Sequence, residues 1–293
     1  MAGDTLAPAK INLFLHVGAP GADGYHPLCS LMVFADAGDR VTLHGGDALA
    51  VKVRGPFAEQ LAGEGDNLVL RAARALLAQA RGPQPLSAFT LEKRLPVAAG
   101  LGGGSSDAGA ALRLLRDEMS PRLDDAELEA VAARLGADGA ACLWGRPVMA
   151  QGRGERLSPA PDLPILEAVL VNPGALVSTP AVYAAFDTAG VFGDVAPPPM
   201  PDAFESVEEL AGWLATMRND LEAPAVALAP AIGDVLATLA DEPEALIARM
   251  SGSGATCFAL CQSEVEAETL AERIMAMKPD WWVQRCRLGG PWA

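Results

Sequence analysis

Hydrophobic and polar residues alternate with a period of two over residues 11–17. Ile11, Leu13, Leu15 and Val17 fall on one side; Lys10, Asn12, Phe14 and His16 fall on the other. This pattern predicts a half-buried strand. Residues 18–27 form a turn-rich connection containing Asp23-Gly24-Tyr25-His26, and further strands are expected over 28–35 and 40–44. The period then changes. Val69, Ala72, Ala73, Leu76 and Leu77 share a helix face over 68–80, with Asp66-Asn67 placed to cap it. A strand over 89–94 leads into a glycine-rich stretch. From Ala108 the residues Ala111, Leu112, Leu115 and Met119 keep helical spacing, with Ser105 or Ser106 as the expected N-cap. Asp124 and Glu127 have capping-box spacing ahead of Leu128, Val131, Ala132 and Leu135, and Gly136 is expected to stop that helix.

The second half mixes the same two periods. Strands are expected over 168–172, 257–261 and 282–288. Helices are expected near 207–217, 221–228 and 232–240, and after the Ser263/Glu266 pair, with Val265, Leu270, Ile274 and Met277. The proline-dense run 196–201 excludes regular helix or a central strand. Residues 153–164, rich in proline and polar side chains, mark a soft boundary that divides the chain into 1–157 and 158–293. Strands and helices mixed in both halves predict an α+β protein with two layers per domain.

The chain has 293 residues, 51% of them hydrophobic, enough for two domains with real cores. Its formal charge of −15 argues against a nucleic-acid binder or a membrane-surface protein, but not against a nucleotide, because backbone N–H groups and a metal ion supply local positive potential. The five cysteines are odd in number and contain no C-x-x-C pair, so structural zinc is not expected and free thiols suit a reducing cytoplasm. No unbroken apolar run is long enough to span a bilayer, and the first residues lack the basic flank and apolar core of a signal peptide.

The chemistry concentrates in Leu95-Pro96-Val97-Ala98-Ala99-Gly100-Leu101-Gly102-Gly103-Gly104-Ser105-Ser106-Asp107. Glycines feeding a helix start present unpaired N–H groups with the helix dipole behind them, a ready site for phosphate. The stretch is neither a Walker loop, since no Lys follows a Gly, nor the dinucleotide pattern G-x-G-x-x-G. A second small-residue loop, Ser251-Gly252-Ser253-Gly254-Ala255-Thr256, precedes the strand at 257–261.

Pro8-Ala9-Lys10-Ile11-Asn12-Leu13, the glycine stretch and the second loop, in this order, resemble the three motifs of the GHMP kinases, the small-molecule kinases of galactose, homoserine, mevalonate and phosphomevalonate. The segments Asp23-Gly24-Tyr25-His26, Asp66-Asn67-Leu68, Gly136-Ala137-Asp138 and Asn219-Asp220-Leu221-Glu222 narrow the resemblance to the member acting on a cytidine-diphosphate-linked methylerythritol in the non-mevalonate route to isoprenoids. The resemblance implies a ribosomal-protein-S5-like N-terminal domain binding ATP, a ferredoxin-like C-terminal domain and an active site between them. It implies transfer of the γ-phosphoryl group of ATP, with Mg²⁺, to a hydroxyl of the acceptor. The enzyme would be a cytoplasmic monomer or homodimer. Related acceptors (homoserine or mevalonate), or a nucleotide-binding regulator without turnover, are the rival readings.

By the same resemblance Asp138 is the catalytic carboxylate and Lys10 the cation beside it. Pro96, Gly100, Leu101, Gly102, Gly103, Gly104, Ser105 and Ser106 bind the phosphates, with Asn67 and Lys93 near the adenine and phosphates. Asn12, Tyr25, His26 and Tyr183 take the acceptor, two aromatics sandwiching the cytosine and His26 bonding its edge. Gly252, Ser253 and Gly254 bring a second set of N–H groups toward the transferred phosphate. No direct metal ligand is assigned, and His16 and His44 are structural. The sequence departs from the family after Asp138, where Gly139-Ala140-Ala141-Cys142 replaces the usual Val-Pro and Phe-containing segment, and at Asp107, where Asn is common.

Overall fold

A computed structural model describes residues 3–62, 67–79, 87–119 and 122–292. Asp66 and Ala80, part of the expected cap and end of the first helix, lie outside them. Among the described residues the backbone is one ten-stranded sheet covered by helices. Strand β1 (Gly3–Val17) pairs antiparallel with β2 (Leu28–Gly45) from Gly3 opposite Leu43 to Val17 opposite Leu28. The other strands are β3 (Ala50–Arg54), β4 (Ser87–Glu92), β5 (Val148–Gly152), β6 (Arg156–Pro159), β7 (Leu166–Asn172), β8 (Ile247–Met250), β9 (Cys257–Cys261) and β10 (Trp282–Gly289). Along the main path the order is β3-β4-β2-β10-β7-β9-β8, with β1 and β5 also pairing β2 and β6 pairing β5. Because β10 pairs with both β2 and β7, the end of the chain joins its first half to its second.

Strand β1 departs from the simple alternation. From Ala7 onward it is buried on both faces, and its register shifts between Asn12 and Phe14. The shift turns Phe14 into the core shared by Ile11 and Leu13, and places Leu15 and Val17 in a different cluster. One extra residue in a ladder re-aims every side chain beyond it. The two strands expected over 28–35 and 40–44 are one. The intervening Asp36-Ala37-Gly38-Asp39 resembles a turn, but its carboxylates serve as ties: Asp36 accepts from Arg287 N at 2.8 Å, and Asp39 from Arg94 N and Leu95 N at 2.6 and 2.9 Å. Gly38 is required there, since a Cβ would lie 2.2 Å from the Ala7 carbonyl oxygen.

The helices are α1 (Leu68–Leu77), α2 (Gly103–Glu118), α3 (Asp125–Ala133), α4 (Gly139–Trp144), α5 (Thr179–Ala189), α6 (Val207–Leu214), α7 (Glu222–Leu228), α8 (Ala231–Ala240) and α9 (Glu264–Met277). Asn67 caps α1 and buries Val69, Ala72, Ala73 and Leu76 as the spacing requires. Asp124 and Glu127 form the expected reciprocal box on α3. Helix α2 corrects the expectation. It starts five residues before the apolar repeat, and its N-cap is Gly102 in the left-handed region (φ 61°) rather than a serine. Small residues let the N-terminal half of this helix pack closely, as Gly109 shows: a Cβ on it would sit 2.8 Å from the Cys142 carbonyl oxygen. The run 153–164 is not wholly irregular, because β6 lies within it and pairs β5.

Strands β7 and β9 carry the second half. Ala168, Leu170, Phe258 and Leu260 pack on one face with Leu210 and Leu214 of α6. Val169, Val171, Cys257 and Ala259 pack on the other with residues of α5, α7, α8 and α9. Burial on both faces explains their continuous apolar runs. Phe258 is fully buried, so Phe258→Ala is expected to lower the unfolding free energy by about 3–5 kcal/mol, read as a shifted midpoint in urea. A loss below about 1 kcal/mol would show that this core is not packed as described.

Candidate active site

Lys10 and Asn12 sit on the same side of β1, where a strand interior would ordinarily be apolar. Lys10 Nζ donates to Asn12 Oδ1 at 2.6 Å, and Asn12 Nδ2 donates to Ser30 Oγ at 2.7 Å. Both residues are buried, and this chain of bonds supplies the partners that burial demands. Across from them Asp138 stands at the entrance of α4. Its Oδ2 is 3.9 Å from Lys10 Nζ and its Oδ1 accepts from Ser105 Oγ at 2.7 Å. The altered segment after Asp138 forms α4 itself. Gly139 is needed, since a Cβ would meet the Ala132 carbonyl oxygen at 2.1 Å, and Cys142 N donates to the Asp138 carbonyl at 2.9 Å.

The glycine stretch wraps these two side chains. A Cβ on Gly102 would lie 3.1 Å from Lys10 Cε and 3.2 Å from Asp138 Oδ2, and Lys10 N donates to the Leu101 carbonyl at 2.8 Å. Ala98, Gly100 and Gly102 all have positive φ, at 51°, 75° and 61°. Helix bonding begins with Ser106 N to the Gly102 carbonyl, so the N–H groups of Gly103, Gly104 and Ser105 precede the ladder at the positive end of the α2 dipole. The second loop braces the first. Ser251 Oγ donates to the Gly100 carbonyl at 3.0 Å and accepts from Asn12 N at 3.2 Å, while Thr256 N donates to the Ala99 carbonyl at 3.1 Å. Asn219 Nδ2 in turn holds the Met250 and Gly252 carbonyls at 2.9 and 2.8 Å.

Beneath the loop Lys93 is buried between the carboxylates of Asp39 and Asp107, the latter at 3.0 Å. Burial, only partly offset by Lys93, pushes the Asp107 carboxyl up to about 8. Its Oδ1 is buried without a hydrogen-bond partner among the described residues. At the other end, His26 Nδ1 is 2.8 Å from the Gly18 carbonyl oxygen, its ring is 5.1 Å from that of Tyr183, and the Arg153 guanidinium lies 4.0 Å above the exposed ring of Tyr25. The Lys10–Asp138 pair, the glycine stretch and the Tyr25, His26 and Tyr183 side chains line one cleft of about 1450 Å³. That exceeds the 300–1,000 Å³ usual for one small ligand and leaves room for two.

The profile of the GHMP kinases N terminal domain matches residues 67–146, and that of the GHMP kinases C terminal matches residues 201–278. This chain belongs to the GHMP kinases. Relatives named 4-diphosphocytidyl-2-C-methyl-D-erythritol kinase share 65% identity in Caulobacter sp. (strain K31), over 98% of this chain and 99% of that protein, and 49% in Cereibacter sphaeroides, over 98% and 99%. A crystal structure of 4-(cytidine 5'-diphospho)-2C-methyl-D-erythritol kinase superposes with a TM-score of 0.79 at 36% identity, covering 99% of this chain and all (100%) of that one. Homoserine kinase from Cytophaga hutchinsonii, with a TM-score of 0.68 at 18% identity over 98% and 95%, shares the fold. The GHMP kinase fold is thus the α+β, two-domain one expected, and the protein is a small-molecule kinase, a family whose phosphoryl donor is ATP.

Of the residues singled out in the sequence of this GHMP kinase, Lys10, Asn12, Tyr25, His26, Asn67, Lys93, Pro96, Gly100, Leu101, Gly102, Gly103, Gly104, Ser105, Asp138, Tyr183, Gly252 and Ser253 line the cleft. Ser106 and Gly254 do not. Ser106 is fully buried, its hydroxyl turned toward the Cys142 thiol between α2 and α4, and Gly254 faces Met250 and Ile232. Lys93 reaches the cleft with its ammonium already held by two carboxylates. The Asn67 side chain accepts from Val69 N at 2.9 Å, so it is engaged as a cap. His16 is buried and does not line the cleft: burial, then the Arg218 charge, lower it to about 4. The sequence did not point to Asp187, Arg153 or Thr179, which also line the cleft, nor to the bracing role of Asn219. Asn219 follows no periodicity, and Arg153 lay in the stretch read as a boundary.

Gly100 is the tightest contact between the loops, since a Cβ would lie 2.3 Å from the Ser251 carbonyl oxygen. Gly100→Ala is expected to push the loops apart and to lower kcat/KM for ATP by roughly 10²-fold, the cost of about an ångström of misplacement. Unchanged kinetics would show the loops to be independent. Asp107 gives a second expectation. Its carboxyl keeps a proton in the fold that the unfolded chain, near 3.9, has released, so stability falls as pH rises from about 4 to about 8, by up to about 1.4 kcal/mol per unit. Urea unfolding of Asp107→Asn should lack that slope. Parallel profiles for the two proteins would mean that Asp107 titrates as an ordinary carboxyl.

Proposed function

We propose that this kinase transfers the γ-phosphoryl group of ATP to the 2-hydroxyl of 4-diphosphocytidyl-2-C-methyl-D-erythritol, a step of isoprenoid formation. The observation that carries this reading is one cleft joining a Lys10–Asp138 pair wrapped in glycine N–H groups to an end built of Tyr25, His26 and Tyr183. The first end suits phosphoryl transfer, which needs neutralised phosphates and an oriented hydroxyl. The second suits a flat heterocycle that stacks on aromatic rings and bonds by its edge. Relatives bearing that enzyme's name match along the whole length.

In this reading the N–H groups of Gly103, Gly104 and Ser105 take the phosphates, and Gly252 and Ser253 close on the transferred group. Ser105 occupies Asp138 Oδ1, which leaves Oδ2 to receive the proton of the attacking hydroxyl. Lys10, fixed by Asn12, counters the charge that develops on that oxygen. Among the described residues no three acidic, histidine or cysteine side chains converge as a metal cage. Mg²⁺ keeps its waters and binds mainly through phosphates, so it needs few protein ligands. The Ser105 hydroxyl is the protein oxygen that would join them, and the ion would neutralise phosphate charge. Residues 1–157 form the ATP-binding half and 158–293 the half completing the cleft. The five cysteines are free and buried, which supports a reducing cytoplasm, and no described helix is long and apolar enough to cross a membrane.

ADP release with the cytidylated alcohol, homoserine and mevalonate offered in turn tests the reading, and turnover confined to homoserine or mevalonate would refute it. Asp138→Asn is expected to lose roughly 10²–10⁴-fold in kcat while ATP still binds. Retained turnover would remove Asp138 from the chemistry.

A further inference from the structure

Helix α5 brings two unlike side chains to one place in the cleft. Tyr183 and Asp187 are four residues apart, one turn along the same helix face. Both line the cleft and both meet His26: the Tyr183 ring is 5.1 Å away centre to centre, and Asp187 Oδ1 is 3.2 Å from His26 Nε2. The other ring nitrogen is committed, since Nδ1 lies 2.8 Å from the Gly18 carbonyl, which only accepts, so Nδ1 carries the hydrogen. His26 is nearly covered, while the Asp187 side chain is 44% exposed. A ligand entering here therefore meets the carboxylate.

A carboxylate is an acceptor on every lone pair. The two common pyrimidines differ at the atom such a group would face: cytosine carries a 4-amino donor, uracil a 4-oxo acceptor. We propose that Asp187 selects the base of the acceptor substrate, accepting a hydrogen from the 4-amino group of a cytosine stacked on Tyr183 and repelling the 4-oxo group of a uracil. The inference rests on the cytidine-linked acceptor proposed above and adds to it the residue that discriminates. Its alternative role, propping His26, is a weak one, because a half-exposed pair of this kind contributes little to stability. Substitution at 187 should therefore leave the fold intact.

The test measures kcat/KM for the cytidylated alcohol and its uridylated analogue, with saturating ATP, in the native enzyme, Asp187→Asn and Asp187→Ala. The native enzyme is expected to favour cytidine by roughly 10- to 100-fold. Asp187→Asn, which gains an amide donor, should bring the ratio within about threefold of unity by improving the uridylated substrate. Asp187→Ala should weaken the cytidylated substrate without that gain, and the KM for ATP should not move in either. A native-like ratio in Asp187→Asn, with both substrates equally weakened, would reduce Asp187 to a prop for His26 and overturn the proposal. A native enzyme that uses neither nucleotide-linked alcohol would instead defeat the acceptor assignment, and base selection with it.

Discussion

The close contact of two backbone loops governs this molecule. With 2.3 Å between the site of a missing Cβ on Gly100 and the carbonyl of Ser251, the loops meet main chain to main chain. No other residue type fits there, and Gly100 also has a positive φ that side chains resist. The contact joins segments some 150 positions apart, so neither loop has its shape without the other. It also fixes the strand between them, because Ser251 bonds both the Gly100 carbonyl and the backbone of Asn12. The orientation of Lys10 and Asn12, and so the place of Asp138, follows from a junction made almost wholly of backbone.

Such a junction costs something in buried polarity, and the structure meets that cost by pairing. Lys10, Asn12 and Ser30 form a chain of bonds ending on the Phe14 carbonyl at 2.6 Å. Lys93 sits between Asp39 and Asp107, and Asp39 also receives two backbone N–H groups. A buried ion cluster of this kind is weak evidence of added stability, because removing the charges from water offsets most of their attraction. It does fix geometry: the strand carrying Lys93 is tied to β2 and to the first turn of α2, the turn that presents the glycine N–H groups.

Periodicity made visible the elements that pack by one face. Helices α1 and α9 and strand β9 lie where their apolar spacing put them, give or take a few residues at the ends. It was blind where backbone geometry rather than side-chain pattern decides. The bulge near Leu13 leaves no mark in the alternation, the Asp36-Ala37-Gly38-Asp39 segment inside β2 resembles a turn, and α2 begins in glycines that carry no period. The site was legible because its three motifs are short, ordered and dominated by small residues with a stated purpose. Asp187 was not, since a lone carboxylate on an unrecognised helix has no signature until Tyr183 and His26 are found beside it.

A chain with net charge −15 that binds a triphosphate looks contradictory until the charges are placed. Field strength at a site depends on nearby charges, while distant surface charges are screened within about 10 Å at ordinary salt. Each acid near the glycine loop is matched: Asp39 by Lys93, Asp107 by the proton that burial makes it keep, and Asp138 by Lys10 and the Ser105 hydroxyl. What remains uncompensated there is the row of N–H groups at the start of α2, whose dipole points its positive end at the cleft. The carboxylate of Asp187 lies at the opposite end, beside the histidine and the aromatic rings, where a neutral base rather than a phosphate would approach it. The proposed phosphate end and the proposed base end thus differ in their acids: those beside the glycine loop are neutralised, while Asp187 keeps a half-exposed carboxylate facing the cleft.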